Sequence, residues 1–238
     1  SADQPLTPPN YQGFQAGFIY QGVGGCFAGF GGTTGNIQYD ATTDSKITIN
    51  TGKSQKAQWQ AYNDILFNKS KSEWKNNGTQ YMRWVAGHDI KLAGNTQANW
   101  TVEGTNAKGI WRAGNTIELA NPVTTTWKST SGTGNQMGWQ AAKDIKSLGG
   151  WTSTWESDAA GSDAWFEAGQ DIDINAPVTV DWKTQKSGNL RWMAKRDIKV
   201  INPTTSFTWA NGTGTGSILW EAGQDIEANN TTAAGTFK

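Results

Sequence analysis

From Ala57 to Ala228 apolar and polar residues alternate in short runs instead of recurring at helical spacing, which predicts β-strands with one buried face. In one run Met82, Trp84 and Ala86 alternate with Arg83 and Val85, and in another Met137, Trp139 and Ala141 flank Gly138 and Gln140. Parity therefore turns the aromatic residue and the alanine inward. The intervening positions are mostly polar or mixed, as a solvent face requires, with Ile110, Trp165 and Leu219 departing from the rule.

A second strand begins at an isoleucine a few residues later, with Ile inward, a charged residue outward, and then Leu92, Leu119, Ile174 or Val200 inward. The turn between the two strands reads Ala-Gly-x-Asp or a variant. Glycine at Gly87, Gly114, Gly169 and Gly223 tolerates positive φ there, and the Asp can bond backbone amides. Asn121-Pro122, Ala176-Pro177 and Asn202-Pro203 then signal another turn, because proline cannot sit in a central ladder. A third strand follows, as in Val123-x-Thr125-x-Trp127, and it supplies a second aromatic column: Trp74, Trp100, Trp127, Trp155, Trp182 and Trp209.

The three-strand unit recurs. The phrase aromatic-x-Ala-x-x-Asp-Ile is written seven times, beginning at Trp59, Trp84, Trp111, Trp139, Phe166, Trp192 and Trp220, with Thr116 replacing Asp in the third copy. Its isoleucines lie 25, 27, 28, 27, 26 and 28 residues apart. A fixed phrase with elastic connections predicts a solenoid. The expected fold is all-β: one domain, a parallel β-helix of about seven to eight triangular three-strand coils, with rungs about 4.8 Å apart and a length of roughly 35 Å. Ile49 takes the place of the third-strand aromatic and Ile37 resembles the second strand, so the solenoid is assigned to residues 46–238.

Stacked coils set like residues over like. For tryptophan this is favourable, since each buried indole contributes roughly 4 to 6 kcal/mol gross. Stacked like charges would repel, and the outward residue after each Ile alternates from Lys91 through Glu118, Lys146, Asp173 and Lys199 to Glu227. Opposite charges are thus expected to meet at every step and to fix the register, at about 0.2 to 1 kcal/mol per pair.

Twenty Lys plus Arg balance twenty Asp plus Glu, which argues against nucleic acid as the main partner, and no apolar run is long enough to insert in a membrane as a helix. Cys26 is the single cysteine, so an internal disulfide is excluded. The low-charge composition rich in Thr, Asn, Gly and Gln suits an extracellular or cell-surface protein. The opening Ser1-Ala2-Asp3-Gln4 fits a removed leader and equally a trimmed sequence.

The phrase Ala-Gly-x-Asp-Ile-x-Leu, as in Ala86 to Leu92 and, with Ile174 in the last place, Ala168 to Ile174, resembles the repeats of filamentous haemagglutinin-like secreted adhesins. The resemblance covers roughly Ala57 to Ala228. It implies a right-handed parallel β-helix, export to a bacterial surface and a fibrous adhesive role. The repeat here is longer than the family's, carries two tryptophans, and is preceded by nothing that matches the family's secretion domain.

Catalysis needs different groups converging at one place, whereas this chain repeats the same group along an axis, so no catalytic, cofactor-binding or metal-binding residues are expected. The column Asp64, Asp89, Asp144, Asp171, Asp197 and Asp225 is read as turn capping, with a calcium ladder as the sharper alternative. His88 stands at a variable turn position held elsewhere by Asn115, Gln170 and Gln224. Parity puts Trp165 outside, and Trp151 is expected off the ladder in a loop. Those two are the candidates for surface contact, with host or matrix glycans as the partner.

The ends carry the remaining expectation. Residues 1–45 form a Pro/Gly-rich arm with Phe14, Phe18, Tyr20, Phe27 and Phe30, able to cap the first coil or to complete a neighbour by strand addition. At the other end the last coil, with Trp220 and Ile226, passes into Asn, Thr, Ala and Gly with no amphipathic helix to close it. The expected function is a non-enzymatic subunit of a surface fibre or adhesin, partnered by copies of itself head to tail. The rival is a carbohydrate-binding or polysaccharide-degrading β-helix.

Overall fold

The computed structural model describes the backbone of residues 19–22, 26–29, 37–40, 46–51 and 56–237, apart from 121, 176–178, 202–205, 213 and 230–234. Side chains are described for Ile37 and for most residues from 58 to 229. First along the chain are β1 (Ile19–Gly22), β2 (Cys26–Gly29), β3 (Ile37–Asp40), β4 (Lys46–Thr51), β5 (Lys56–Ala61) and β6 (Ile65–Asn68). Next come β7 (Lys71–Asn76), β8 (Tyr81–Ala86), β9 (Ile90–Ala93), β10 (Thr96–Val102), β11 (Lys108–Ala113) and β12 (Ile117–Leu119). They are followed by β13 (Val123–Ser129), β14 (Gln136–Ala141), β15 (Ile145–Ser147), β16 (Trp151–Ser157), β17 (Asp163–Ala168) and β18 (Ile172–Asn175). The remainder are β19 (Thr179–Thr184), β20 (Leu190–Ala194), β21 (Ile198–Ile201), β22 (Ser206–Asn211), β23 (Ile218–Ala222), β24 (Ile226–Asn229) and β25 (Gly235–Phe237).

Every third strand pairs in parallel with the next, so the chain winds through three sheets in turn. Sheet A takes β1, β4 and so on to β25, nine strands; sheet B takes β2 to β23 and sheet C β3 to β24, eight each. This is the expected parallel β-solenoid. Six coils, β7 to β24, form its body, slightly fewer than the seven or eight expected, while β1 to β6 and β25 continue the sheets at the two ends.

The register matches the columns read from the alternation. In sheet B Trp59, Trp84, Trp111, Trp139, Phe166, Trp192 and Trp220 stand over one another. In sheet A the column runs from Ile49 through Trp74, Trp100, Trp127, Trp155 and Trp182 to Trp209. Sheet C stacks isoleucines from Ile37 to Ile226. Rings stack at 4.5 Å from Trp84 to Trp111 and from Trp111 to Trp139, nearly parallel. The two columns also meet edge to face, as in Trp59 on Trp74 at 4.4 Å and Trp192 on Trp209 at 4.9 Å.

That packing has a cost which the apolar pattern hides. The indole N–H groups of Trp74, Trp84, Trp100, Trp111, Trp127, Trp139, Trp155 and Trp209 are buried with no hydrogen-bond acceptor. An unmet donor costs about 1–3 kcal/mol, less than the roughly 4 to 6 kcal/mol of area burial per ring, so the ladders win on balance. Trp182 meets its donor requirement by giving a bond to Ser153 Oγ at 3.1 Å.

The turn glycines do not use their tolerance of positive φ. None of Gly87, Gly114, Gly169 and Gly223 has positive φ. Their constraint lies between coils: a Cβ on Gly114 would stand 2.1 Å from the carbonyl oxygen of Gly87, and one on Gly169 would stand 2.0 Å from that of Ala142. Corners of successive coils approach backbone to backbone, and only hydrogen fits that gap. Ala142 and Lys195 hold the same place in their own coils, so the approach is not equally tight at every step.

The alternating charge column is aligned as expected, with Glu118 opposite Lys91 and Lys146, and Asp173 opposite Lys146 and Lys199. Contact is another matter. Lys146 pairs with Glu118 across the sheet at 3.2 Å, but Lys91 turns to Asp89 at 3.0 Å and Lys199 to Asp197 at 3.1 Å. At Lys91 and Lys199 the acid two residues back, in the turn before the strand, takes the ammonium, so local pairs replace cross-coil ones at those two steps.

Candidate functional site

Three regions of the tube hold the residues that could carry a function: the turn column at the B/C corner, the outer face of sheet B, and the C-terminal rim. At the corner, each Asp caps the coil above it. Asp64 Oδ1 accepts the backbone N–H of Asp89 at 2.9 Å, Asp89 Oδ1 that of Thr116 at 3.0 Å, and Asp171 Oδ1 that of Asp197 at 3.1 Å. Asp144 and Asp197 do the same for Asp171 and Asp225, both at 3.2 Å. The variable residue of the next turn adds a donor: Asn115 Nδ2 to Asp89 Oδ1 at 2.8 Å, and the Arg196 guanidinium to both oxygens of Asp171. His88 fits this pattern, its Nδ1 lying 3.2 Å from Asp64 Oδ1.

These bonds set the acidities. Burial alone would push Asp89 up, but the Lys91 ammonium, the Asn115 amide and the Thr116 N–H together hold it below the usual carboxylate range. The bond from Arg196 does the same for Asp171. Among the described residues Asp64, His88 and Asp89 are the one group of metal-ligating side chains whose ligand atoms lie within 4.8 Å of one another. Asp89 Oδ2 is already held by Lys91 at 3.0 Å, and a cation there would have to displace an ammonium.

On the outer face of sheet B, Trp165 lies over Gly138: a Cβ on that glycine would stand 2.2 Å from the indole. Gly138 thus makes room for an aromatic ring flat against the sheet. Around it Gln136, Gln140, Asp163, Glu167, Arg191 and Met193 complete a shallow recess of about 270 Å³, with Arg191 Nη2 3.4 Å from Asp163 Oδ2. Beside it an open groove of about 870 Å³ follows the alanine column from Ala86 to Ala222. Its wall is a bonded chain in which Arg112 donates to Gln140 Oε1 at 2.9 Å, and Gln140 Nε2 to Glu167 Oε2 at 3.0 Å.

Trp165 therefore stands partly exposed where parity put it, but Trp151 does not. It is 0% exposed, forms the first residue of β16 opposite Val123, and donates its indole N–H to Thr125 Oγ1 at 3.0 Å. It is a core residue and cannot contact a surface ligand. The spacing Trp151-x-x-x-Trp155 repeats that of Val123-x-x-x-Trp127, and that equivalence is the signal that would have placed it inside.

At the C-terminal rim no described strand pairs with the outer edge of β23 or β24. Trp220 is only half-buried, stacked on Trp192 at 5.0 Å, while Leu219 is 42% and Ile226 51% exposed. Of the N-terminal assembly candidates, Phe14, Phe18 and Phe30 lie outside the described residues. Tyr20 belongs to β1 opposite Ile49, and Phe27 to β2 opposite Ala57.

Comparison with protein-family models, curated proteins and solved structures finds no match for this chain. No helix of the described residues is long and apolar enough to cross a membrane. The class these features define is a tryptophan-laddered parallel β-solenoid.

Proposed function

We propose that this solenoid is a non-enzymatic structural subunit of an extracellular surface fibre or adhesin, assembled from copies stacked head to tail. The observation that carries the reading is the C-terminal rim. Among the described residues no strand pairs with the outer edges of β23 and β24, beside an end-of-ladder tryptophan and exposed Leu219 and Ile226. Unpaired N–H and C=O rows recruit further strands, and the surface that best repeats their spacing is another coil of the same kind. Contact between unlike ends does not close on itself, so it extends into a filament. Electron micrographs of purified protein in negative stain at neutral pH test this: filaments are expected, and exclusively monomeric particles would refute it.

A second reading, a carbohydrate-binding or polysaccharide-degrading β-helix, draws on Trp165. A partly exposed indole beside Arg191, Asp163 and Gln136 offers a sugar both a stacking face and hydrogen-bond partners. A glycan array separates the readings, and a reducing-sugar assay separates binding from hydrolysis. Loss of glycan binding in Trp165→Ala would support the second.

A further inference from the structure

Charge on the outer face of sheet B is antisymmetric about β14. Outward from the tube β11 presents Lys108, Ile110 and Arg112, β14 presents Gln136, Gly138 and Gln140, and β17 presents Asp163, Trp165 and Glu167, aligned column by column. A positive, a neutral and a negative strand thus follow one another. Among the described residues Lys108, Arg112 and Glu167 make no ion pair, and Arg112 and Glu167 both reach Gln140, which lies between them. One rung further out on either side, Val85 on β8 and Met193 on β20 are apolar, beside Arg83 and Arg191.

A face with this pattern complements itself. When a second copy is turned over about an axis along β14, the two tubes lie antiparallel, β11 changes places with β17, and every residue keeps its position along the strand direction. Lys108 then meets Asp163 of the other copy, Arg112 meets Glu167, Ile110 meets Trp165 and Val85 meets Met193. The one unfavourable encounter is Arg83 with Arg191. Both have partners at home: Arg83 donates to Gln58 Oε1 and lies 4.0 Å over the Tyr81 ring, and Arg191 leans on Asp163 at 3.4 Å.

The axis itself falls on the Trp165 shelf. Each indole rests over Gly138 of its own chain, so the two rings meet on the axis, one face of each on backbone and the other on its twin. Two flat rings between two sheets make three van der Waals layers, about 11 Å, close to the roughly 10 Å at which sheets pack face to face. An aromatic pair at the centre with charges towards the rim is the arrangement of a binding hot spot. The strands β8, β11, β14, β17 and β20, about six residues each, span roughly 24 by 20 Å, or about 500 Å² on each copy. That area suits a reversible dimer and is short of an obligate one.

We propose that the outer face of sheet B docks a second copy of this chain, antiparallel and related by a two-fold axis along β14. The contact is lateral. It uses neither end of the tube and holds whether or not copies also stack head to tail. It buries Trp165, so a bound glycan and a second copy exclude one another there.

Cross-linking and sedimentation test this. In a Cys26→Ser background, Gln136→Cys sets a thiol across the axis from its own equivalent, too far for a disulfide and within reach of a short bismaleimide. Thr126→Cys, outward on sheet A, is the control. A covalent dimer is expected from the first and none from the second. Sedimentation velocity then reads the charges: Arg112→Glu and Glu167→Arg each oppose like charges and should weaken the dimer about tenfold or more. The two together should restore it, which also shows that the altered chains fold. No cross-link at Gln136, or an equal one at Thr126, would overturn the lateral dimer, as would an unchanged dissociation constant in both single variants. Filaments that form without the Gln136 cross-link would leave the fibre reading standing and remove this one.

Discussion

Asp171 Oδ1 accepts the backbone N–H of Asp197, the equivalent residue one coil further on, at 3.1 Å, while Arg196 grips both oxygens of the same carboxylate. One side chain thereby ties together two coils whose equivalent residues stand 26 positions apart in the chain. The same bond joins five of the six steps from Asp64 to Asp225, all but that from Thr116 to Asp144, and makes the B/C corner a polar seam running parallel to the dry tryptophan ladders.

Breaking the seam should be costly where it is buried. In Asp89→Ala the Thr116 N–H and the Asn115 amide lose their acceptor and the Lys91 ammonium loses its partner. The expected loss is about 2 kcal/mol, read as a lower midpoint in urea unfolding with an unchanged slope.

Acidity along the chain cuts both ways. Asp89 and Asp171 are held below their ordinary value, so they contribute stability above the unfolded carboxylate range, at about pH 4, and lose it as pH falls through their folded values. Asp158 has the opposite sign. Burial pushes it up to about 6, and the neighbouring Glu156 carboxylate adds to the rise. Its favourable contribution is complete below the unfolded value and disappears as pH climbs through about 6. Asp158→Asn should therefore raise the melting temperature at neutral pH and leave it nearly unchanged near pH 4, a difference that calorimetry at the two pH values would measure.

The Trp165 shelf predicts a coupled pair. Gly138→Ala drives a methyl into the indole and should cost roughly 1–3 kcal/mol. With Trp165→Ala already in place the methyl meets no ring, so the penalty should largely vanish. A double-mutant cycle giving simple additivity would show that the ring does not rest on Gly138.

Trp151 supplies a test inside the core. Thr125→Val removes the acceptor of its indole N–H at nearly constant volume and should cost about 1–3 kcal/mol. No such effect is expected from removing hydroxyls near Trp127, whose N–H has no acceptor to lose.

The sheets, their parallel order and both aromatic columns were legible in the chain, because stacking like on like writes the same residue at every turn from Trp59 to Trp220. What stayed hidden involves distance between coils. Gly114 is constrained by the Gly87 carbonyl 27 residues away, a contact with no local sequence sign, whereas the tolerance of positive φ that the turn residue type suggests is not used there. Trp151 follows Gly149-Gly150, both of which adopt positive φ and reset the strand start, so its place on the ladder is masked in the chain. The x of Ala-Gly-x-Asp read as variable, yet His88, Asn115 and Arg196 all place a hydrogen-bonding nitrogen beside the Asp below, a shared function that different residue names conceal.

Cryo-electron microscopy of the concentrated protein tests the central claim most directly. Copies stacked head to tail should give unbranched filaments whose rungs, about 4.8 Å apart, run across the strands of each subunit. Isolated 25.8 kDa particles at every concentration would contradict it.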